Sequence, residues 1–450
     1  MQGIGTNDMS KYRISQYNFT FKKGENYIIY NALKDSLVLV DQELYESIQN
    51  VDLELVPKNL ISELLENGII IPENFSELNY LRYQYRKALE LPQKQSRISL
   101  MLITTYDCNL SCPYCYLGDI KRDKNRMSPE NIDTIFQIWI DEVKKLDLTL
   151  YGGEPLLNWR ACLYVIDKLR DMRNNNKHVS LRIVTNATLL SEEKLEILSK
   201  QPYPISIQVT LDGCRKLHNK KRFFSDKKGT FDIIVRNIKN TLKYKNIKPH
   251  IRINVDKTNY KSMKILLEEL KIKRLEDVPI YFAPIFSQEI PVCEERSSDY
   301  YLVGKEIRDK ISKLWEMSLG MGFKMKAIRP SRKNIPCAFP IETSFIIDPF
   351  MDIYSCWSTI GMKEFRIGKI SEDGRFVPEP MYYETYSFDP TFVQECKECK
   401  FLPLCMGGCR WEAYKKFKKF NEGPGCPAQK FLFEKGLKLY IEKKYLNCKL

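Results

Sequence analysis

Between residues 98 and 286 the chain alternates short apolar stretches with helical ones, and this alternation narrows the fold more than any other feature. Strand-like stretches fall at 99–104, 146–150, 180–184, 205–211, 250–255 and 280–283, with helical stretches such as 129–146 and 231–243 between them. A βα repeat requires parallel strands, because each crossover returns the chain to the same end of the sheet. The pattern predicts an α/β fold, a partial (β/α)6 TIM-like barrel with its chemistry on the loops after the strand C-termini.

The flanks differ from this core. In residues 14–50, β-rich stretches at 17–22, 27–30 and 37–40 are broken by Gly24 and Lys34-Asp35, and a helical period starts near Gln42. Helix continues from Pro57 through Leu65, Gly68 stops it, and Ile69-Ile70-Ile71-Pro72 reads as a wing-like strand. This predicts a winged-helix-like α+β domain over 1–92, with 80–91 as a helical linker. The barrel is expected over 96–300 and a bridging segment with one helix over 301–332. A Cys-rich C-terminal domain is expected over 333–450, ending in a helix near 428–443.

The 14 cysteines gain meaning from the expected compartment. No run of 18 apolar residues reads as a membrane span, and the start, MQGIGTNDMSKYR, has no apolar signal region. The expected location is cytoplasmic. Disulfides are rare there, so metal or redox chemistry becomes the expected use of the thiols. The formal charge of +14 is uneven: residues 1–90 hold 9 Lys/Arg and 13 Asp/Glu, which leaves +18 on the rest. A net −4 argues against phosphate binding by the N-terminal part. The basic remainder fits a solvated lysine-rich surface, or steering of an acidic peptide or acidic redox partner. No nucleic-acid or membrane partner is expected.

Three thiols stand at Cys108-Asn-Leu-Ser-Cys112-Pro-Tyr-Cys115, a CX3CX2C loop directly after the first barrel strand. A four-iron cluster takes one thiolate per iron, so three ligands leave one iron free for another group. The ferredoxin spacing CX2CX2C is absent, and a structural zinc ion needs a fourth ligand where no His lies nearby. Tyr151-Gly152-Gly153-Glu154-Pro155 follows the second strand as a tight turn open to close backbone approach. Then come Val184-Thr185-Asn186-Ala187-Thr188, and Thr210-Leu211-Asp212-Gly213 followed by His218 and Arg222.

Together these blocks resemble the radical S-adenosylmethionine (SAM) superfamily over roughly residues 96–286. By that resemblance Cys108, Cys112 and Cys115 hold a [4Fe–4S] cluster, with Tyr114 as the aromatic common before the third Cys. Gly152, Gly153, Glu154 and Pro155 form the turn that holds the SAM amino group. Thr185 and Asn186 belong to the TNGT-type stretch, Thr210 and Asp212 face SAM, and Arg222 pairs with its carboxylate. Asn219 stands where the family has Asp, and Ala187 where it has Gly.

A second set reads Cys396-Lys-Glu-Cys399, Cys405, Cys409 and Cys426, with Cys337 and Cys356 upstream and Ile347-Asp348-Pro349 before the latter. This resembles the SPASM domain, which binds auxiliary [4Fe–4S] clusters, over residues 337–426. The family's interleaved arrangement implies one cluster on Cys337, Cys356 and Cys409 and another on Cys396, Cys399, Cys405 and Cys426. Ser331 stands where some members have a further Cys, so the first auxiliary cluster is expected to keep an open iron. Met351 replaces a Gly usual in this hairpin. Of the remaining thiols, Cys162 reads as a buried small hydrophobe. Cys214 lies near the expected site, and Cys293 is in reach as an extra ligand. Cys448 receives no role.

SPASM enzymes mostly modify peptides, and the N-terminal pattern resembles the precursor-recognition domain of enzymes that mature ribosomal peptides. The implied function is a peptide maturase. SAM and three [4Fe–4S] clusters would form a 5′-deoxyadenosyl radical, abstract a hydrogen and yield a crosslink, a thioether of the sactipeptide or ranthipeptide kind first. The implied partners are a precursor peptide, its leader on the N-terminal domain, and a flavodoxin- or ferredoxin-type electron donor. Carbon–carbon or ether crosslinking stays open, as does an anaerobic sulfatase maturase, although that family carries Asp where Trp357 follows Cys356. An electron-transfer or zinc-structured binding protein is the non-enzyme alternative. No protein acid or base is assigned to catalysis.

Overall fold

The computed structural model describes residues 12–446 apart from 55, 119, 121, 122, 141, 288–300 and 327. Cys293 and Cys448 lie outside the described residues. The N-terminal module opens with strand β1 (Tyr12–Ile14) and an antiparallel meander of β2 (Asn18–Lys23), β3 (Asn26–Asn31) and β4 (Ser36–Val40). Gly24 and Asp35, both at positive φ, make the two tight turns. Helices Gln42–Asn50 and Lys58–Glu66 follow, then β5 (Ile70–Pro72) and the long helix Glu77–Lys94. The expected wing does not join the meander. β5 pairs antiparallel with β1, Arg13 opposite Ile71. Buried Glu77 ties β1 to the long helix, accepting from Arg13 at 3.1 Å and Ser15 at 2.6 Å.

The meander is covered on both faces. Ile29, Val38 and Val40 pack on Ile48, Leu64 and Ile69 of the module itself. On the other side Tyr17, Phe19, Tyr30 and Leu33 share one core with Leu81 and Tyr85 of the long helix. That core continues into Phe388, Cys396, Leu402, Met406 and Phe433 of the C-terminal lobe.

The central sheet has ten strands. β6 (Arg97–Ile103), β7 (Lys145–Tyr151), β8 (His178–Thr185), β9 (Ile205–Leu211), β10 (Ile247–Val255) and β11 (Ile280–Pro284) are parallel in chain order, as the βα repeat requires. Alternate residues such as Leu146, Leu148 and Leu150 are buried toward the helices. The intervening Asp147, Thr149, Arg182, Gln208 and Arg252 occupy the other face, so the concave side of the partial barrel is polar. His250 is buried within β10, and burial pushes its imidazole down to about 4.

The helix expected over 129–146 ends at Trp139 instead. Its apolar period runs on in sequence, but Lys144 and Lys145 donate to the Ser96 carbonyl and start β7 beside β6. The sheet also crosses the expected boundary at 333. β12 (Ser344–Ile347) pairs in parallel with β6, Ser344 opposite Ser99, and β13 (Asp352–Tyr354), β14 (Gly368–Ile370) and β15 (Phe376–Pro378) extend it antiparallel. All four residues of β12 are buried, the signature of an interior strand. The start of the cysteine lobe is thereby fixed to the strand that carries Cys108.

Candidate active site

The loop after β6 is clasped from three sides. Gly153 donates to the Thr105 carbonyl at 3.0 Å and Glu154 to the Asp107 carbonyl at 2.9 Å. Ser111 donates to the Phe223 carbonyl at 2.8 Å, beside a bridge between Leu110 and Phe224. From the end of β8, Asn186 donates to Asn109 at 2.9 Å and sits 3.9 Å from the Cys108 sulfur. Burial pushes the Cys108 thiol up to about 12, partly offset by the Leu110 amide. Cys112 is buried and Cys115 half-buried on the same loop.

Gly152 and Gly153 are required by this packing. Gly152 has φ +145°, and a Cβ there would lie 2.2 Å from the Thr105 carbonyl oxygen. A Cβ on Gly153 would lie 2.2 Å from the Tyr106 carbonyl oxygen and 2.3 Å from that of Asp107. Glu154 is fully buried, and burial raises its carboxyl. It accepts from Thr185 Oγ1 at 2.7 Å, the Asn186 amide at 2.7 Å and the Leu156 amide at 3.1 Å. Buried Pro155 begins the following turn, its carbonyl accepting from Thr104 and from the Cys162 thiol, each at 3.2 Å. Cys162 is thus a packing residue.

Across the strand ends, Thr210 is half-buried in β9 and Asp212 is fully buried just beyond it. Tyr114 donates to Asp212 Oδ2 and accepts from Arg222 at 3.0 Å. Burial raises the Asp212 carboxyl against the pull of Arg222. His218 is held neutral by burial, and its hydrogen bonds define its tautomer. Nδ1 accepts from the Asp212 amide at 3.3 Å, and Nε2 donates to Thr230 at 3.0 Å, which donates to the Arg222 carbonyl at 2.7 Å. Asn219 caps the next helix, accepting from the Thr230 and Phe231 amides at 2.9 and 3.0 Å. An amide oxygen serves that task as well as the carboxylate of the family pattern. Cys214 is buried ahead of helix Arg215–Lys221 and makes no contact that assigns it a role.

The SAM and cluster reading fits this site on one direct observation. Asp212 Oδ1 and Arg222 Nε are buried without a partner among the described residues, one an acceptor and one a donor. They stand beside three thiols on one loop. We expect Tyr114→Phe, which strips a hydrogen bond from both, to weaken SAM binding by about tenfold with iron content unchanged. Anaerobic titration calorimetry checks this.

The C-terminal cysteines gather in two groups. Cys356 lies within electrostatic reach of Cys409 and Cys337. Cys396 stands in the same relation to Cys405, Cys399 and Cys426. Burial pushes Cys396 up to about 12 and Cys405 and Cys409 up to about 11. A glycine interlock ties the two groups together, joining Cys409 of the first to Gly425 beside Cys426 of the second. Met406, Gly407 and Gly408 all have positive φ, and Cys409 donates to the Gly425 carbonyl at 2.7 Å. A Cβ on Gly408 would meet that oxygen at 2.1 Å. No three His, Cys, Asp or Glu side chains among the described residues converge on a point suited to a single ion. Sequence reasoning passed over Asn109, Arg410 and Lys430, which support the thiols. The Lys430 ammonium lies 3.4 Å from the Cys426 sulfur.

Residues 102–270 match the family model described as the radical SAM superfamily, so the chain carries a radical SAM enzyme domain. That domain implies SAM and one [4Fe–4S] cluster as cofactors. The chain is similar to the radical SAM cyclopropyl synthase TigE of Paramaledivibacter caminithermalis, 22% identical over 424 residues, 87% of this chain and 84% of the relative. It is 24% identical over 362 residues to a cysteine-type anaerobic sulfatase-maturating enzyme of Clostridium novyi, 74% of this chain and 92% of that one. The fold is similar to Streptococcus suis SuiB bound to the precursor peptide SuiA, with TM-score 0.52 at 16% identity, covering 92% of this chain and 98% of SuiB. Maturation enzymes are among its relatives. No helix among the described residues is long and apolar enough to cross a membrane.

Proposed function

We propose that this radical SAM enzyme matures a ribosomal precursor peptide and forms a thioether from a Cys sulfur to carbon. The observation that carries the peptide reading is β4. Among the described residues it pairs on one side only, with β3, and its outer edge offers unpaired amides and carbonyls with Leu39 43% exposed. Such an edge accepts an added strand, and alternating side chains supply specificity. The leader is read as binding there, and the likeness over most of the chain to SuiB, bound to its precursor peptide, supports a peptide substrate.

In this reading Cys108, Cys112 and Cys115 hold the first cluster. Gly152, Gly153, Glu154, Pro155, Thr185, Asn186, Thr210, Asp212, Arg222 and Tyr114 hold SAM. Cys337, Cys356 and Cys409 hold one auxiliary cluster, and Cys396, Cys399, Cys405 and Cys426 the other. Bound there, the cluster and SAM would supply one-electron reductive chemistry able to take a hydrogen from a substrate carbon. The protein's own work is to exclude water and hold the target carbon, with Asp212, Tyr114 and Arg222 locked as one unit. A flavodoxin- or ferredoxin-type donor fits the basic charge outside residues 1–90. The likeness to TigE favours a second product class, a carbon–carbon bond.

The test co-expresses the chain with a short Cys-rich open reading frame beside its gene, followed by mass spectrometry before and after thiol alkylation. A thioether loses two hydrogens per link and leaves that Cys unlabelled. A carbon–carbon product loses the hydrogens but keeps an alkylatable thiol. An unmodified precursor beside formylglycine in a sulfatase peptide would overturn the reading. Leu39→Glu is expected to weaken precursor binding about tenfold, ~1.4 kcal/mol, and to leave precursor-free SAM cleavage unchanged.

A further inference from the structure

Arg410 is among the largest fully buried side chains of the described residues, 1% exposed, and its hydrogen-bond acceptors are all main-chain carbonyls. Its guanidinium donates to the carbonyls of Phe420 at 2.8 Å, Gly407 at 2.6 Å and Gly423 at 3.3 Å. It lies 3.9 Å from the centre of the Phe388 ring. Nε has no partner, and among the described residues no carboxylate comes within ion-pair distance. A buried charge without an opposite charge is costly enough that proteins seldom keep one. Besides the Tyr85 phenol, the groups near it that can carry negative charge are thiols, and they come from both C-terminal groups: Cys396 from one, Cys409 and Cys337 from the other.

Lys430 makes a useful contrast. It sits 3.4 Å from the Cys426 sulfur, and the other thiols in its reach, Cys399 and Cys405, belong to the four-cysteine group. Of these two cations only Arg410 faces both groups, and it does so from the buried interior, whereas exposed Lys333 reaches Cys337 and Cys405 from the surface. Its position is over-determined: three carbonyls, an aromatic face, and Gly425, whose absent Cβ would lie 2.9 Å from the guanidinium.

We propose that Arg410 is the shared counter-charge of the two auxiliary thiol groups and holds both clusters at higher midpoint potentials than they would have without it. This rests on the reading that both groups carry clusters. A fixed positive charge stabilises the reduced, more negative state of each, and in a low-dielectric lobe its effect reaches two centres at once. Arg410 is thus a positioning residue for electrons and touches no substrate.

The experiment uses the full chain, reconstituted anaerobically, with iron and sulfide analysis and potentiometric titration followed by electron paramagnetic resonance. In R410Q with wild-type iron content, both auxiliary midpoints are expected to move to lower potential, while K430Q moves one and R410K leaves both near wild type. Unchanged midpoints in iron-replete R410Q overturn the proposal. Should R410Q fail to take up iron, R410K decides. Uptake with wild-type midpoints supports a role for the charge. Failure of R410K as well makes the residue a hydrogen-bonding scaffold and overturns it. A wild-type chain that binds only about four irons removes the auxiliary clusters themselves, and with them both readings, an outcome the iron analysis separates from the rest.

Discussion

Gly153→Ala is expected to lower SAM cleavage by about 10²-fold or more, because a single methyl group there has no space to occupy. The added carbon would stand 2.2 and 2.3 Å from the carbonyl oxygens of Tyr106 and Asp107, both main-chain atoms that no rotamer change can move aside. Relief requires the 106–107 segment to retreat by about an ångström, and Cys108 follows it directly. The same shift breaks the 2.9 Å bond from Glu154 to the Asp107 carbonyl. Thiols and SAM turn therefore move together, and a displacement of that size in a positioned site costs about 10² in rate. Gly320→Ala is the control: Gly320 ends its helix, and a Cβ added there would meet nothing within 4 Å. Anaerobic assay of 5′-deoxyadenosine release from both variants decides. Wild-type rates in Gly153→Ala would mean the turn has slack that the carbonyl distances deny.

Much of this site is legible in sequence because it is carried by short segments with fixed local geometry. The strand, the CX3CX2C loop and the Gly152-Gly153 turn are contiguous blocks, and parallel pairing brings their C-terminal ends together. Two departures from the family pattern also have readable consequences. Ala187 and Met351 stand where glycine is usual, and both are left-handed, at φ +62° and +64°. The backbone has kept the glycine conformation, at a cost of about 1–2 kcal/mol for each side chain. What sequence does not disclose are partnerships set by the whole fold. Phe345-Ile346-Ile347 reads only as a short apolar run, and nothing local says that it will lie beside β6. The alternation in β2 identifies a buried face but not its partner, which proves to be Phe401 and Phe433 of the cysteine lobe. Arg410 reads as an ordinary basic helix residue until its surroundings are known.

That shared core has a functional meaning. The meander proposed to take the leader and the four-cysteine group are walls of one apolar cluster, which includes Cys396 itself. Tyr85 of the linker helix donates to the Phe388 carbonyl at 2.6 Å, and Phe388 in turn lies under Arg410. Two further bonds cross the same junction: Arg329 to Asp35 at 2.7 Å and Arg82 to Thr391 at 2.9 Å. A peptide strand added to β4 would therefore be held on a module that shares its core with the cysteine lobe.

Cys356→Ala is expected to separate the two halves of the reaction. Product should fall by at least about 10³-fold, the scale on which removal of an essential group acts, while precursor-free SAM cleavage stays within a few-fold of wild type. The first three thiols are fixed by the β7 turn, the end of β8 and the Phe223 carbonyl, none of which depends on Cys356. Cys356 instead leads the short turn Trp357–Thr359 after β13 and sits with Cys337 and Cys409, the latter raised to about 11 by burial. On the proposed cluster assignment, removing one thiol of three leaves too few ligands to retain a four-iron cluster, so iron should drop from about twelve to about eight per chain. Cys162→Ala, whose thiol only meets the Pro155 carbonyl, should leave iron unchanged. Trp357 meets Tyr116 of the cluster loop edge to face, with ring centres 6.0 Å apart, and Tyr116 shares a 2.8 Å hydrogen bond with Tyr151 at the end of β7. The three-cysteine group is therefore adjacent to the rim of the SAM site, where a peptide carbon radical would have to be quenched or bonded. If Cys356→Ala kept full crosslinking with eight irons, the bond would form without this group, and its place beside the rim would be architectural.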